Sequence, residues 1–259
     1  MNGLLEELWR SRGLVVALVR RHVATRYRGS LLGCLWSFLN PLCLMAVYTL
    51  VFKYYMRVQG GPHYSLLVFA GLLPWIWTTT ALQEGTSSVV SSGHLITKSM
   101  FPGHLLPFVS VVSSLLHFVF ALPILMGFMA ISGVSISLTW LFLPIVVVVH
   151  FVLLWGITLA LSSFNVFYRD IQHLLGNVLT FVFFLCPIIY PRELIPSDVR
   201  FWVELNPLAI LTSTYQMLLV EGSMPPIRWL AYLVTLTLVV FFAGVSIHNS
   251  RRERFAEVL

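Results

Sequence analysis

The sequence predicts an all-α polytopic membrane protein: six transmembrane helices, an N-terminal amphipathic interface helix, and a re-entrant external gate segment between helices five and six. Three observations carry this prediction. Of the 259 residues, 58% are hydrophobic and only 10% charged, whereas a soluble domain holds about 25% charged residues. Six stretches reach the roughly 20 apolar residues needed to cross a hydrocarbon core. The basic residues crowd onto one side of those stretches. No water-soluble fold of this size could hide so much apolar surface.

Residues 3–25 read as a helix lying in the membrane interface. At about 100° per residue, Leu4, Leu5, Leu8, Trp9, Val15, Val16, Leu18, Val19 and Val23 fall on one half of the wheel. Glu6, Glu7, Arg10, Arg20 and Arg21 fall on the other, with Arg12 and Leu14 misplaced. The spans follow at Leu31–Phe52, Ser65–Gln83, Leu105–Ile131, Leu138–Ser162, Ile171–Tyr190 and Trp229–Ile247. Lipid offers no partners to backbone N–H and C=O groups, so each span is expected to be helical. Pro41, Pro74, Pro123, Pro144 and Pro187 fall inside them, each expected to remove a helical bond. The first span begins too late, and lacks the small-residue site, to be a cleavable signal peptide.

Six spans put both termini on one side. That side carries eleven of the sixteen lysines and arginines: Arg10, Arg12, Arg20, Arg21, Arg26, Arg28, Lys98, Arg169, Arg251, Arg252 and Arg254. The bias predicts cytoplasmic termini, and the net charge of +6 suits anionic lipid headgroups better than nucleic acid. Cys34, Cys43 and Cys186 lie within spans without CxxC spacing and read as buried packing residues.

Two connectors are unusual. LITKSMFPGHLLP, Leu95 to Pro107, keeps large apolar side chains that an ordinary cytoplasmic loop does not need. Between spans five and six, Pro191 to Arg228 holds the apolar run Leu208–Val220, too short to span and suited to a re-entrant position. Two short helices joined at Asn206-Pro207 fit this segment. LNPL occurs at 39–42 and again at 205–208, with Asn suited to a helix N-cap and Pro to its first turn.

Several chemistries are absent from the sequence. There is no G-x-x-x-x-G-K-[ST] loop, no H-E-x-x-H and no cysteine–histidine metal spacing. Glu84 is the sole intramembrane acid, at the end of span two, and His117 and His150 read as packing residues. Aromatic residues are plentiful. Span one and the residues just after it carry Trp36, Phe38, Tyr48, Phe52, Tyr54 and Tyr55, and span five carries Phe181, Phe183, Phe184 and Tyr190. Their flat faces suit either lipid or sugar rings. A secondary transporter fits less well for want of internal repeats, and a membrane enzyme of glycolipid synthesis for want of clustered acids or histidines.

RYRGSLLGCLWSFLNPL (26–42), LITKSMFPGHLLP (95–107), FNVFYRDI (164–171), CPIIYP (186–191) and LNPL (205–208) are distributed over nearly the whole chain. Together they resemble the membrane-spanning subunit of ABC-2 type exporters of cell-surface polysaccharides, the O-antigen branch above all. The resemblance implies one transmembrane domain over 1–259, a homodimer in a bacterial inner membrane, and two copies of a separate ATPase that binds ATP and Mg. The substrate implied is a polysaccharide linked to a polyprenyl diphosphate lipid, with no cofactor in this chain. Leu95, Ile96, Lys98, Met100, Phe101 and Pro102 would dock the ATPase. Arg26, Arg28, Arg169 and Asp170 would meet the cytoplasmic interface and lipid headgroups. Trp36, Tyr48, Tyr54, Phe181, Phe184 and Tyr190 would line a sugar conduit, and Asn206 and Pro207 would hinge a gate spanning 191–222.

Overall fold

The computed structural model describes residues 2–58, 61, 63–99, 101–135 and 137–259, with the side chains of residues 2–5, 27, 34, 98, 99, 256 and 257 outside that description. Every regular element among the described residues is helical. Among these residues, five helices are long and apolar enough to cross a membrane: Trp36–Tyr55, Tyr64–Ser91, Leu105–Ile131, Leu138–Phe167 and Ile227–Arg254. The fifth expected span, Ile171–Tyr190, is instead the shorter apolar helix Asp170–Leu185.

The interface helix is two pieces, α1 (Asn2–Arg10) and α2 (Arg12–Tyr27), interrupted at Ser11. Along α2, Val15, Leu18, Val19 and Val23 turn inward and pack on α6 (Leu105–Ile131). This is the expected helical row. Trp9 and Val16, assigned to the same face, stay exposed instead, and the Arg12 guanidinium lies 5.1 Å from the centre of the Trp9 ring.

Helix α3 (Trp36–Tyr48) starts after the expected Leu31 because Gly29 and Gly33 adopt left-handed φ values of 81° and 50°. It runs on to Tyr55 in a wider, π-type winding. The first LNPL therefore does not begin a helix. Asn40-Pro41 lies inside α3, where the proline ring forfeits only the bond that the carbonyl of Ser37 would accept. Helix α4 (Tyr64–Ser91) outlasts the predicted Gln83. The polar run after Glu84 does not end the helix. Ser87, Ser88 and Ser91 instead donate their hydroxyls back to carbonyls of their own helix, which satisfies them without water.

The short helix α5 (Gly93–Ser99) precedes α6, and α7 (Leu143–Phe167) follows a tight turn from Leu138. Pro144 sits in the first turn of α7, where a missing N–H breaks no helical bond. Helix α8 (Asp170–Leu185) has 16 residues and stops before Pro187, which lies outside it. A residue preceding proline is pushed away from helical geometry, and Cys186 is accordingly extended at ψ 135°. The fifth span predicted to reach Tyr190 thus ends early as a helix. Two short helices, α9 (Ser197–Leu205) and α10 (Pro207–Gln216), lead to α11 (Ile227–Arg251) and α12 (Phe255–Val258).

Helix α4 is the axle of the bundle, packed on α6, α7 and α10, while α11 closes on α7. Small residues permit these approaches, as expected where lipid supplies no hydrophobic drive between helices. A Cβ on Gly85 would strike Thr158 Cβ at 2.9 Å, and one on Gly156 would strike the Phe241 backbone at 2.6 Å. A Cβ on Gly244 would overlap the carbonyl oxygen of Gly156. Between these crossings lies a buried polar link: Thr78 Oγ1 is 2.9 Å from His150 Nε2, and His150 Nδ1 is 3.4 Å from the Tyr215 hydroxyl. His150 is thus a satisfied core residue, and His117 likewise meets Ser37 Oγ at 3.1 Å. Cys186 is buried as expected, but Cys43 faces outward.

Candidate functional site

Three surfaces gather the residues singled out from sequence. The first is the face shared by α3 and α8. Phe181 and Phe184 are exposed there and Tyr48 and Tyr190 are partly buried, whereas the exposed Tyr54 stands on the winding beyond α3 and the exposed Trp36 opens α3 beside residues of α4 and α6. The Tyr48 ring lies tilted against Phe183 at 5.5 Å, and Phe183 also meets Trp75 at 5.5 Å and Phe184 at 5.3 Å. Phe183 is therefore the buried pin of the aromatic face, a role that its position among neighbouring phenylalanines did not betray. The Tyr190 hydroxyl donates to the Phe184 carbonyl at 2.9 Å, tying the extended segment after α8 back onto its last turn. No other part of the chain covers the outward rings among the described residues.

The second surface lies at the end of the bundle carrying both termini. Glu84 accepts Arg26 Nη1 at 3.2 Å and pairs with His22 Nε2 at 3.1 Å. The acid is thus a clamp between α2 and α4. His22 shares the inward row of α2 with Leu18 and Val15, a spacing that could have revealed it. Arg26 also lines a cavity of about 210 Å³ with Trp36, Ser37, Asn40 and His117, so two residues read separately from sequence share one wall. Arg28, Arg169 and Asp170 are exposed and form no ion pair among the described residues. Asp170 opens α8, where a carboxylate suits the positive end of a helix dipole.

At this same end, Leu95, Ile96, Phe101 and Pro102 are all partly buried. Met100 lies outside the described residues, as does the side chain of Lys98. Ile96 packs within the chain, against a small core of Val89, Val166 and Phe255. Leu259 reaches the helix that carries it, 3.3 Å from where a Gly93 Cβ would stand. Arg251 caps the cluster from above Phe164, 4.3 Å from the ring centre. Beside it His104 is buried, 3.4 Å from Glu7 Oε2. Burial holds its imidazole below the usual range, with Glu7 opposing and Arg252 reinforcing that shift.

The third surface is the pair α9–α10 at the opposite end. Asn206 Oδ1 accepts the Leu208 amide at 3.0 Å and Pro207 supplies the first turn, as the second LNPL predicts. The partners differ sharply. Helix α9 buries no residue, whereas α10 is buried from Ala209 to Gln216. Gln216 Nε2 donates to the Leu67 carbonyl at 3.1 Å, and Thr139 Oγ1 to the Leu218 carbonyl at 2.9 Å. Gly222, at a left-handed φ of 64°, ends the segment.

The sequence profile of the ABC-2 type transporter family matches residues 13–220, from α2 through the winding after α10. The chain belongs to the ABC-2 type transporter family. The O-antigen export system permease protein RfbA of Myxococcus xanthus is 39% identical over 263 residues, covering 99% of each chain. Its namesake in Klebsiella pneumoniae is 30% identical over 247 residues, covering 95% of each. The polysialic acid transport protein KpsM of Escherichia coli is 23% identical across 92% of this chain and 93% of its own. The ABC-2 match thus covers the aromatic face, the α9–α10 pair, and the second surface apart from Glu7, Arg251, Arg252, Phe255 and Leu259.

Proposed function

We propose that this chain is the transmembrane subunit of an ATP-driven exporter that moves a lipid-linked polysaccharide, such as O-antigen, across a bacterial inner membrane. The observation that carries the reading is the full-length likeness to an O-antigen export permease at 39% identity. The chain works as a homodimer with two copies of a separate ATPase. Both termini are cytoplasmic, in keeping with the distribution of lysine and arginine, and α8 with the extended residues after it makes a sixth crossing.

Each surface then has a task. The connector 95–107 docks the ATPase through Leu95, Ile96, Lys98, Met100, Phe101 and Pro102. Arg26, Arg28, Arg169 and Asp170 face headgroups at the cytoplasmic surface. The rings of α3 and α8 line the sugar path in the dimer, where weak, sequence-tolerant stacking lets a polymer slide. The segment 191–222 gates the outer end, with Asn206-Pro207 as its hinge, and α10 sits in the bundle as a re-entrant element.

Deleting the gene should abolish surface polysaccharide. Phe101→Asp should keep the subunit in the membrane but lower its co-purification with the ATPase about tenfold, since an aromatic side chain contributes roughly 1.5–3 kcal/mol when buried. Undiminished surface polymer in the deletion strain would refute export. Undiminished co-purification would refute the docking role alone.

A further inference from the structure

A pocket of about 350 Å³ lies beneath α9, outside the aromatic face and the connector. Its size falls within the roughly 300–1,000 Å³ of small-ligand sites. Separate stretches of chain converge on it: Arg192 and Glu193 after α8, Arg200 and Glu204 from α9, Ser213 from α10, and Trp229 from α11. Buried Ala209 and Ile210 give it an apolar floor.

The charges in its lining are balanced, and two of them are already committed. Arg192 Nη2 reaches both Glu221 oxygens at 2.9 and 3.0 Å. Glu204 Oε2 meets Arg228 Nη2 at 3.4 Å. Glu193 and Arg200 are left with no ion pair among the described residues. One carboxylate and one guanidinium, both open, do not favour a diphosphate, which the carboxylate repels, nor a metal ion, which the guanidinium repels. Together they suit a ring bearing several hydroxyls, since the carboxylate accepts from an O–H and the guanidinium donates to its oxygen. Trp229 adds a flat apolar wall for the C–H face of such a ring. Arg192 lies 5.8 Å from the centre of its indole, and the indole N–H is buried without an acceptor among the described residues.

We propose that this pocket binds one uncharged sugar unit of the exported polymer at the outer end of the transporter. The proposal rests on the export reading above and adds a holding site to it. The pocket is built from the gate segment and the first turn of α11. A sugar seated there engages α9, α10 and α11 together, so the polymer itself steadies the gate as it leaves.

The test uses the transporter–ATPase complex in nanodiscs and saturation-transfer NMR. The probe is surface polysaccharide from cells carrying the exporter, freed of its lipid by mild acid. The wild-type complex should transfer saturation to sugar protons. Glu193→Gln and Arg200→Gln, both at exposed positions, should each weaken binding about tenfold, the usual consequence of losing a hydrogen bond to a charged group. Trp202→Ala, on the outer face of α9, should bind as wild type. Wild-type binding by both pocket variants overturns the proposal, as does an absence of binding by the wild type. Displacement of the polymer by inorganic pyrophosphate also overturns it, because that would assign the pocket to an anion. A deletion strain separates the two readings. If surface polymer persists there, export itself fails. If it disappears while the pocket variants bind normally, only the pocket assignment fails.

Discussion

Helices α3 and α4 are neighbours in sequence and in space, both apolar enough to span a membrane, yet their surroundings are opposite. Inside α4, 72% of the apolar window is buried, against 6% for Trp36–Tyr55. Apolarity cannot distinguish them, because lipid and protein interior are equally welcoming to hydrocarbon. Small and hydroxylated residues can. Gly71, Thr78, Gly85, Thr86 and Ser88 let neighbours come close to α4 or bond to it. The helix through Tyr55 carries bulky side chains instead, and its exposed Val47, Leu50, Tyr54 and Tyr55 look outward. Helix α8 resembles α3 in this respect, with Leu174, Val178, Phe181, Phe184 and Leu185 exposed.

The sharpest way to break the contrast is Gly244→Leu, which drives a side chain into the Gly156 carbonyl. Overpacking of this kind costs about 3 kcal/mol or more when backbone is the obstacle. The subunit should lose most of its membrane abundance on immunoblots, while Val47→Leu on α3 leaves it unchanged. Equal abundance of the two variants would mean that the α7–α11 crossing is loose.

The bare face has the reverse profile. Tyr48→Ala and Phe184→Ala, made singly, should lower surface polymer about threefold to tenfold, in line with the worth of an aromatic contact. Membrane abundance should hold. A fall in abundance that matches the fall in export would make these rings packing residues.

Much of this organisation is legible in the sequence, and the illegible part has a common cause. The N-cap at Asn206, the apolar spans and the inward row of α2 are local, each written in one continuous stretch of the chain. Gly156 and Gly244, Thr78 and His150, and Ile96 and Phe255 are each brought together only by the fold. A glycine or histidine in an apolar run announces that something is near without saying what. The end of α4 misled for a related reason. Its serines look like loop residues, yet they satisfy themselves on the helix backbone.

A finer probe of the buried side is Thr78→Val, which strips His150 Nε2 of its 2.9 Å partner. Hydrogen bonds between membrane helices are worth about 1 kcal/mol, and unfolding of the purified subunit in denaturant should reveal a loss of that order. Thr180→Val on α8 should be neutral, because its hydroxyl only returns to the Gly176 carbonyl. Equal losses would erase the distinction between an axle and an outer helix.

The smallest effect should come from pH. His104 is held neutral by burial, with its pKa below the ordinary 6.5. The unfolded chain therefore takes up the proton first, and stability should fall as pH drops from about 6.5 through the lower folded-state value. Thermal midpoints of the detergent-solubilised subunit between pH 8 and 5 should decline, and His104→Gln should flatten the decline. An unchanged slope in the variant would exclude His104 as its source.

Phe255 and Leu259 have a consequence for how the protein is made. Ribosomes make the chain from its N-terminus, so α5 and every apolar helix are synthesised before residue 255. Until then Ile96 lacks the ring it rests on, and the connector after α4 has no finished floor. A chain broken off just after α11 would pass any check that counts inserted helices and still present an unseated α5. Phe255 and Leu259 thus fasten α5 late, after the helices it rests against have been made.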